Sequence, residues 1–152
     1  MKKGLGKVKD SSGAGAGVAN QTSNGGIRVE ISPGELIDKI TILELKLERI
    51  ADAAKLVNVR LEYDVLMEVY AREVVESVAL RELAERLKKI NAALWDIEDH
   101  IREHERAKNF DAGFVALARS VYRTNDERSA VKRAINELLA SKIIEEKSYA
   151  AY

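Results

Sequence analysis

The chain has 152 residues, with 25 Lys plus Arg against 25 Asp plus Glu, no cysteine, one proline and 5% aromatic residues. Balanced charge provides no overall field to draw in nucleic acid or an anionic membrane, and without cysteine there are no disulfides, thiolate nucleophiles or sulfur-ligated metal sites. Hydrophobic residues at 46% with charged residues at 33% is the balance of a helical bundle or coiled coil rather than of a sheet protein.

Residues 1–26 hold Gly4, Gly6, Gly13, Gly15, Gly17, Gly25 and Gly26 among serines and amides. Too few apolar groups are present to offset the entropy of ordering them, so a disordered N-terminal tail is expected. Lys2, Lys3, Lys7 and Lys9 precede small and polar residues where a signal peptide needs an apolar run, and no later stretch has the length of a membrane span; a cytoplasmic location is expected. Residues 27–152 then form a single helical domain. Its first residues, Ile27 to Ile31, alternate like a strand, but no second such run exists to pair with them, which favours extended coil.

Ser32-Pro33-Gly34-Glu35 is a helix start: Ser32 can cap, proline suits the first helical position, and Glu35 can reach back as a capping box. Leu36, Ile40, Leu43, Leu47 and Ile50 follow at spacings of three and four and share one face. A second seam through Leu56, Val59, Tyr63, Leu66 and Tyr70 is out of phase with the first, so a break is expected at Ala51 to Ala53, with Asp52 capping a new helix. The third helix starts at a Ser77 cap and repeats Leu80, Leu83, Leu87, Ile90, Leu94, Ile97, Ile101 and His104 without a miss. Running from Val78 to Lys108, it would be about 45 Å long. Asn109 can end it in a left-handed turn, and Asp111 can cap the fourth helix, which buries Phe114, Leu117, Val121, Val131, Ile135 and Leu138. Between the two apolar halves of this last helix lies a polar stretch, Arg123 to Ser129.

A hairpin turning near Phe110 sets residues that sum to about 220 opposite one another. Asn125 then faces Trp95, and Asn91, Trp95, Asp96 and Asp99 share a level with Arg119, Tyr122, Arg123, Asn125, Asp126 and Arg128. Two readings stay open: a small-anion site in which an arginine grips the ligand, or a polar network that fixes helix register. Asp96, His100 and His104 recur every four residues, a spacing that lets one helical face offer ligands to a divalent metal; a complete site would need further ligands from another helix or subunit. No other cofactor is implied. The basic spots Arg86, Lys88, Lys89 and Lys132, Arg133 have acids close by and read as solvated faces, so no nucleic-acid partner is expected.

Three stretches carry a resemblance: Ser32-Pro33-Gly34-Glu35-Leu36-Ile37-Asp38-Lys39-Ile40-Thr41-Ile42-Leu43-Glu44, then Leu94-Trp95-Asp96-Ile97-Glu98-Asp99, and Val121-Tyr122-Arg123-Thr124-Asn125-Asp126-Glu127-Arg128 with Ile135-Asn136. Together they resemble a family of short bacterial all-helical proteins known as a domain of unknown function. The resemblance implies a helical fold over nearly everything after Arg28, and no activity. The expected architecture is an all-α antiparallel bundle, with a long coiled-coil-like hairpin of helices three and four against a shorter helical pair. Because the shorter pair cannot cover a 45 Å helix, exposed apolar seam is expected, and with it an interaction or scaffold module that forms a homodimer or binds another protein. The alternative is a small-anion-binding protein or enzyme built on the polar cluster.

Overall fold

The computed structural model describes residues 26–148 and 150, so the expected N-terminal tail lies outside the described residues except for Gly26. Residues 27–31 run as coil, and four helices follow: α1 (Pro33–Arg49), α2 (Ala53–Glu73), α3 (Val78–Ala107) and α4 (Ala112–Leu138). No strand occurs among the described residues.

Each helix begins where a short polar side chain can satisfy the first free amides. Ser32 Oγ accepts from the Glu35 amide at 3.3 Å, Asp52 Oδ1 from Ala54 and Lys55, Ser77 Oγ from Leu80 at 3.1 Å, and Asp111 Oδ1 from Phe114 at 3.1 Å. Two local expectations need correction. The Glu35 carboxylate does not turn back to close a capping box; it accepts from Lys132 Nζ on α4 at 2.6 Å, a charge-assisted bond that outcompetes a neutral amide. The left-handed residue after α3 is Lys108 (φ 53°) rather than Asn109. Asn109 is engaged otherwise: its amide donates to His104 O at 3.0 Å, its side chain donates to Asp111 at 3.1 Å, and its carbonyl lies 3.1 Å from His104 Nδ1.

The four helices form an antiparallel bundle in which the α3–α4 hairpin makes the most extensive contact. The register of that hairpin follows the expected sum near 220, with the His104 and Phe114 rings 6.2 Å apart beside the turn. Helix α1 is the centre of the bundle. It packs against α2, α3 and α4, and Leu36, Ile37, Ile40, Leu43 and Leu45 are all buried, so it is covered around most of its circumference. Helix α2 packs as a helix only on α1, through a face on which Val59 is the one fully buried residue.

The core joins Ile37 to Leu80, Leu87, Ile90 and Leu94 of α3 and to Val131 and Ile135 of α4, with Tyr70, Val74 and Leu139 closing its edges. Leu80, Leu87 and Ile135 are wholly buried, and burying a side chain of that size is worth roughly 1.5 to 3 kcal/mol. Leu80, Leu87, Ile90 and Leu94 of the α3 seam are buried and Leu83 is partly so, and beyond Leu94 the residues Ile97, Ile101 and His104 are only half covered. The cause is the length of α1: it ends at Arg49, whose guanidinium pairs with Asp96, and beyond that level α3 has α4 alone for company. Leu138, expected in the core, is 44% exposed, and its neighbour Leu139 packs on the cluster instead. The last turn of α4 tightens there, with the Ala140 amide bonded to Glu137 O and the chain turned at Ala140 (φ 51°).

Candidate functional site

Helices α1 and α4 run antiparallel and meet along a line of polar side chains spaced one turn apart on α4: Asn136, Lys132 and Arg128. Asn136 is 2% exposed, and its Oδ1 accepts from the Gly34 amide at 2.7 Å, so α4 caps the first turn of α1. Gly34 is needed for this approach, because a Cβ there would lie 2.5 Å from the Lys132 carbonyl oxygen. One turn along, Lys132 Nζ donates to Glu35 at 2.6 Å and contacts Glu145, from the segment after α4, at 2.9 Å. Burial by itself pushes the Lys132 ammonium down, yet its hydrogen bonds to Glu35 and Glu145 outweigh that effect and hold its pKa above the ordinary lysine value. The same hydrogen bond holds the Glu145 carboxyl below its ordinary value.

Next to this line lies a buried triad between α1 and α3. Asn91 Nδ2 donates to Asp38 Oδ1 at 2.8 Å and to Thr41 Oγ1 at 3.1 Å, and Thr41 Oγ1 donates to the Asp38 carbonyl at 2.9 Å. Asp38 is 5% exposed and has no cation in direct contact among the described residues, though its charge reaches Lys132 through space. A buried carboxylate held this way needs every neighbouring donor, which couples the orientation of Asn91 to that of α1.

The third rung differs from the first two. Arg128 faces Ile42 and Leu45 of α1, which offer no acid, across a cleft of about 630 Å³ lined also by Asn91, Leu94, Trp95, Glu98, Asp99, Arg102 and Asn125. Its half-buried side chain makes no hydrogen bond and no direct ion pair among the described residues. Asn125 Nδ2 is spent on the Val121 carbonyl at 3.0 Å, which fixes the amide with its Oδ1 unengaged. Trp95 is held rigidly: its Nε1 donates to Asp99 at 2.9 Å, and the Arg49 guanidinium lies 5.6 Å from its ring centroid. At the far end, Glu98 pairs with Arg102 at 2.9 Å.

The candidate cluster is therefore divided in two. Asn91, Trp95, Asp99, Asn125 and Arg128 share the cleft. Asp96 turns to Arg49 on α1. Arg119, Tyr122, Arg123 and Asp126 lie on another flank of α4, a third to a half of a turn away from Arg128 and from about a sixth of a turn (Tyr122) to just under a half (Arg123) away from Asn125, and there Arg119 Nε is 3.5 Å from the Tyr122 hydroxyl. Its hydrogen bond to Arg119 is the main reason the Tyr122 hydroxyl titrates below its ordinary value. The metal candidates separate likewise: His100 is exposed, and His104 closes the hairpin against Asn109 and Phe114. Among the described residues no group of three or more His, Asp or Glu side chains is placed to hold a metal ion.

Three of the residues in the basic spots pair with acids: Lys88 with Glu44 and Glu48, Lys132 with Glu35 and Glu145, and Arg133 with Glu146. Asp38, Thr41, Lys132, Asn136 and Gly34 are absent from the sequence-derived cluster. For α4 a signal exists, since Arg128, Lys132 and Asn136 repeat at four-residue spacing beside the apolar seam Val131, Ile135.

Ser32, Asp38, Thr41 and Asn136 among the buried polar residues fall in the stretches that carried the sequence resemblance, whereas Asn91 and Lys132 lie just outside them. A family model described as "Family of unknown function (DUF6165)" matches residues 27–152. The chain belongs to this family. The DUF6165 match thus spans all four helices, the polar line and the cleft, and begins where the tail ends. Comparison with curated proteins and with solved structures finds no match. No helix among the described residues is long and apolar enough to cross a membrane.

Proposed function

We propose that this helical module works by self-association, with α2 of one copy pairing antiparallel with α2 of a second. One observation carries the reading: Val57, Leu61 and Val65 are 68%, 66% and 52% exposed and recur every four residues, on the side of α2 opposite the seam that meets α1. The helix thus has two apolar stripes back to back and packs on a neighbour with only one of them. The α3 seam is left half covered at Ile97 and Ile101, and the more exposed apolar stripe is that of α2.

A second copy is favoured over an unrelated partner by the charges beside the stripe. Arg60 and Asp64 are exposed side chains with no partner among the described residues, and both lie on the same flank of Leu61. In an antiparallel pair related by a two-fold at Leu61, Val57 meets Val65 of the other copy, and each Arg60 comes within about 3 Å, along the helix axis, of the level of the other copy's Asp64. Six part-exposed apolar side chains contribute roughly 6 to 9 kcal/mol in total. After the cost of association this leaves a weak, concentration-dependent dimer.

Sedimentation from about 1 µM to 1 mM tests the proposal. The expected result is a monomer–dimer equilibrium that Leu61→Glu abolishes while the circular dichroism stays helical. Arg60→Glu should weaken the dimer, and adding Asp64→Arg should restore it. A wild-type monomer at all concentrations, or a dimer indifferent to Leu61→Glu, refutes the pairing.

A further inference from the structure

We infer that the cleft between α1, α3 and α4 binds a small organic anion that carries a hydroxyl group next to a single carboxylate or phosphate, with Arg128 holding the anion. The inference is independent of self-association, since α2 contributes nothing to the cleft.

The periodic contacts of α4 define the vacancy in charge. At Asn136 and Lys132 every cationic or acceptor group is answered by α1, by the Gly34 amide and by Glu35. At Arg128, one turn further, α1 presents Ile42 and Leu45. Held half-buried against aliphatic side chains, the Arg128 guanidinium loses hydration without gaining a direct ion pair, since Glu145 acts on it only through space, and an oxyanion in the cleft supplies that contact with two parallel hydrogen bonds.

Two amide oxygens beside it set what the rest of the ligand must offer. Asn91 spends Nδ2 on Asp38 and Thr41, so only Oδ1 is left to face the cleft; no side-chain nitrogen or oxygen among the described residues is both sealed and unbonded, so this oxygen remains open to an incoming donor. Asn125 Oδ1 is likewise left free by the bond of its Nδ2 to Val121. Acceptors flanking an anion hole call for hydroxyl donors close to the charge, and they disfavour an anion such as sulfate, which at neutral pH has no hydrogen to donate. Trp95, one turn along α3, adds a fixed ring face for the carbon skeleton. Glu98 and Asp99 lie toward the other end, so a second anionic group on the ligand would meet carboxylates. The cleft volume, about 630 Å³, falls in the range of small-molecule sites.

Trp95 is the only tryptophan in the chain, so its fluorescence reports the cleft alone. Titration with glycerol 3-phosphate should change the emission saturably, with methyl phosphate and sulfate at least tenfold weaker and glycerol without effect. Arg128→Gln should weaken glycerol 3-phosphate by tenfold or more. If that variant melts early, Asn125→Leu serves instead and should reduce the preference for glycerol 3-phosphate over methyl phosphate. The inference is overturned if no anion alters Trp95 emission at tens of millimolar, if methyl phosphate or sulfate binds as well as glycerol 3-phosphate, or if Arg128→Gln binds unchanged. None of these outcomes bears on the dimer, which sedimentation reads separately.

Discussion

Substituting Gly34 by alanine probes the closest approach in the bundle. The added methyl would lie 2.5 Å from the carbonyl oxygen of Lys132 and 2.9 Å from Asn136 Oδ1. The first of these atoms is helical backbone and cannot swing aside, so α1 and α4 must separate by several tenths of an ångström or more. Overpacking of this kind costs about 1 to 3 kcal/mol. Separation also breaks the 2.7 Å bond from the Gly34 amide to the buried Asn136 side chain, and two unsatisfied buried groups cost about 1 to 3 kcal/mol more. Against this, alanine gains about 0.5 to 1 kcal/mol over glycine in a helix. The net destabilisation is about 1 to 5 kcal/mol, a large share of the roughly 5 to 15 kcal/mol that holds a domain folded. Urea unfolding followed by circular dichroism should show a lower midpoint at an unchanged slope. Gly113→Ala is the control, since its methyl would meet only the movable side chains of Asp111 and His104, and it should stay within about 1 kcal/mol of the parent. Asn136→Ala should cost less in the Gly34→Ala background than alone, because the shared bond is already lost. A Gly34→Ala variant as stable as the parent would refute the close approach.

Lys132 makes stability depend on pH at both ends of the range. Its raised pKa stabilises the fold fully below the unfolded lysine value of about 10.4 and loses that contribution as pH climbs through the folded value; the lowered Glu145 pKa stabilises above about 4.3 and fades as pH falls through its folded value. The gap in unfolding free energy between the parent and Lys132→Met should therefore be widest from about pH 5 to 10 and narrow outside it; a gap constant from about pH 3 to 11 would sink the assignment. At the α3–α4 turn, Lys108 is a side-chain-bearing residue with φ 53°, and Lys108→Gly should raise the melting temperature by about 4 °C, corresponding to about 1 kcal/mol. The Glu105 pair it sacrifices is exposed and worth little. No gain on calorimetry would show the left-handed turn to be unstrained.

The helices were legible because their periodicity and caps are local properties: Ser32, Asp52, Ser77 and Asp111 cap the four starts, and Leu80, Leu87, Ile90 and Leu94 of the α3 seam are buried. The register of the hairpin was legible too, since a short turn permits little else. What escaped was whatever depends on three bodies. Nothing in the order of residues says that α1 lies in the middle of the bundle, and that position is why Asp38 and Thr41 are buried and why Glu35 leaves its own cap for Lys132. The candidate cluster was assembled by level along the hairpin without regard to direction around each helix, so it merged Asn125 and Arg128 with Arg119, Tyr122 and Arg123 from the other flank.

The bond that caps α1 joins residues 102 positions apart, which has a consequence for the order in which the chain assembles during synthesis. At about 5 to 20 residues per second, α1 leaves the ribosome on the order of 5 to 20 s before its cap does. In that interval α2 and then α3 become available to it, but Val131 and Ile135 of α4, which complete the cluster around Ile37, do not. The α3–α4 hairpin, whose partners are near neighbours in sequence, can close as soon as α4 emerges. The central helix of the finished molecule is thus the first to be made and the one whose cover is completed last.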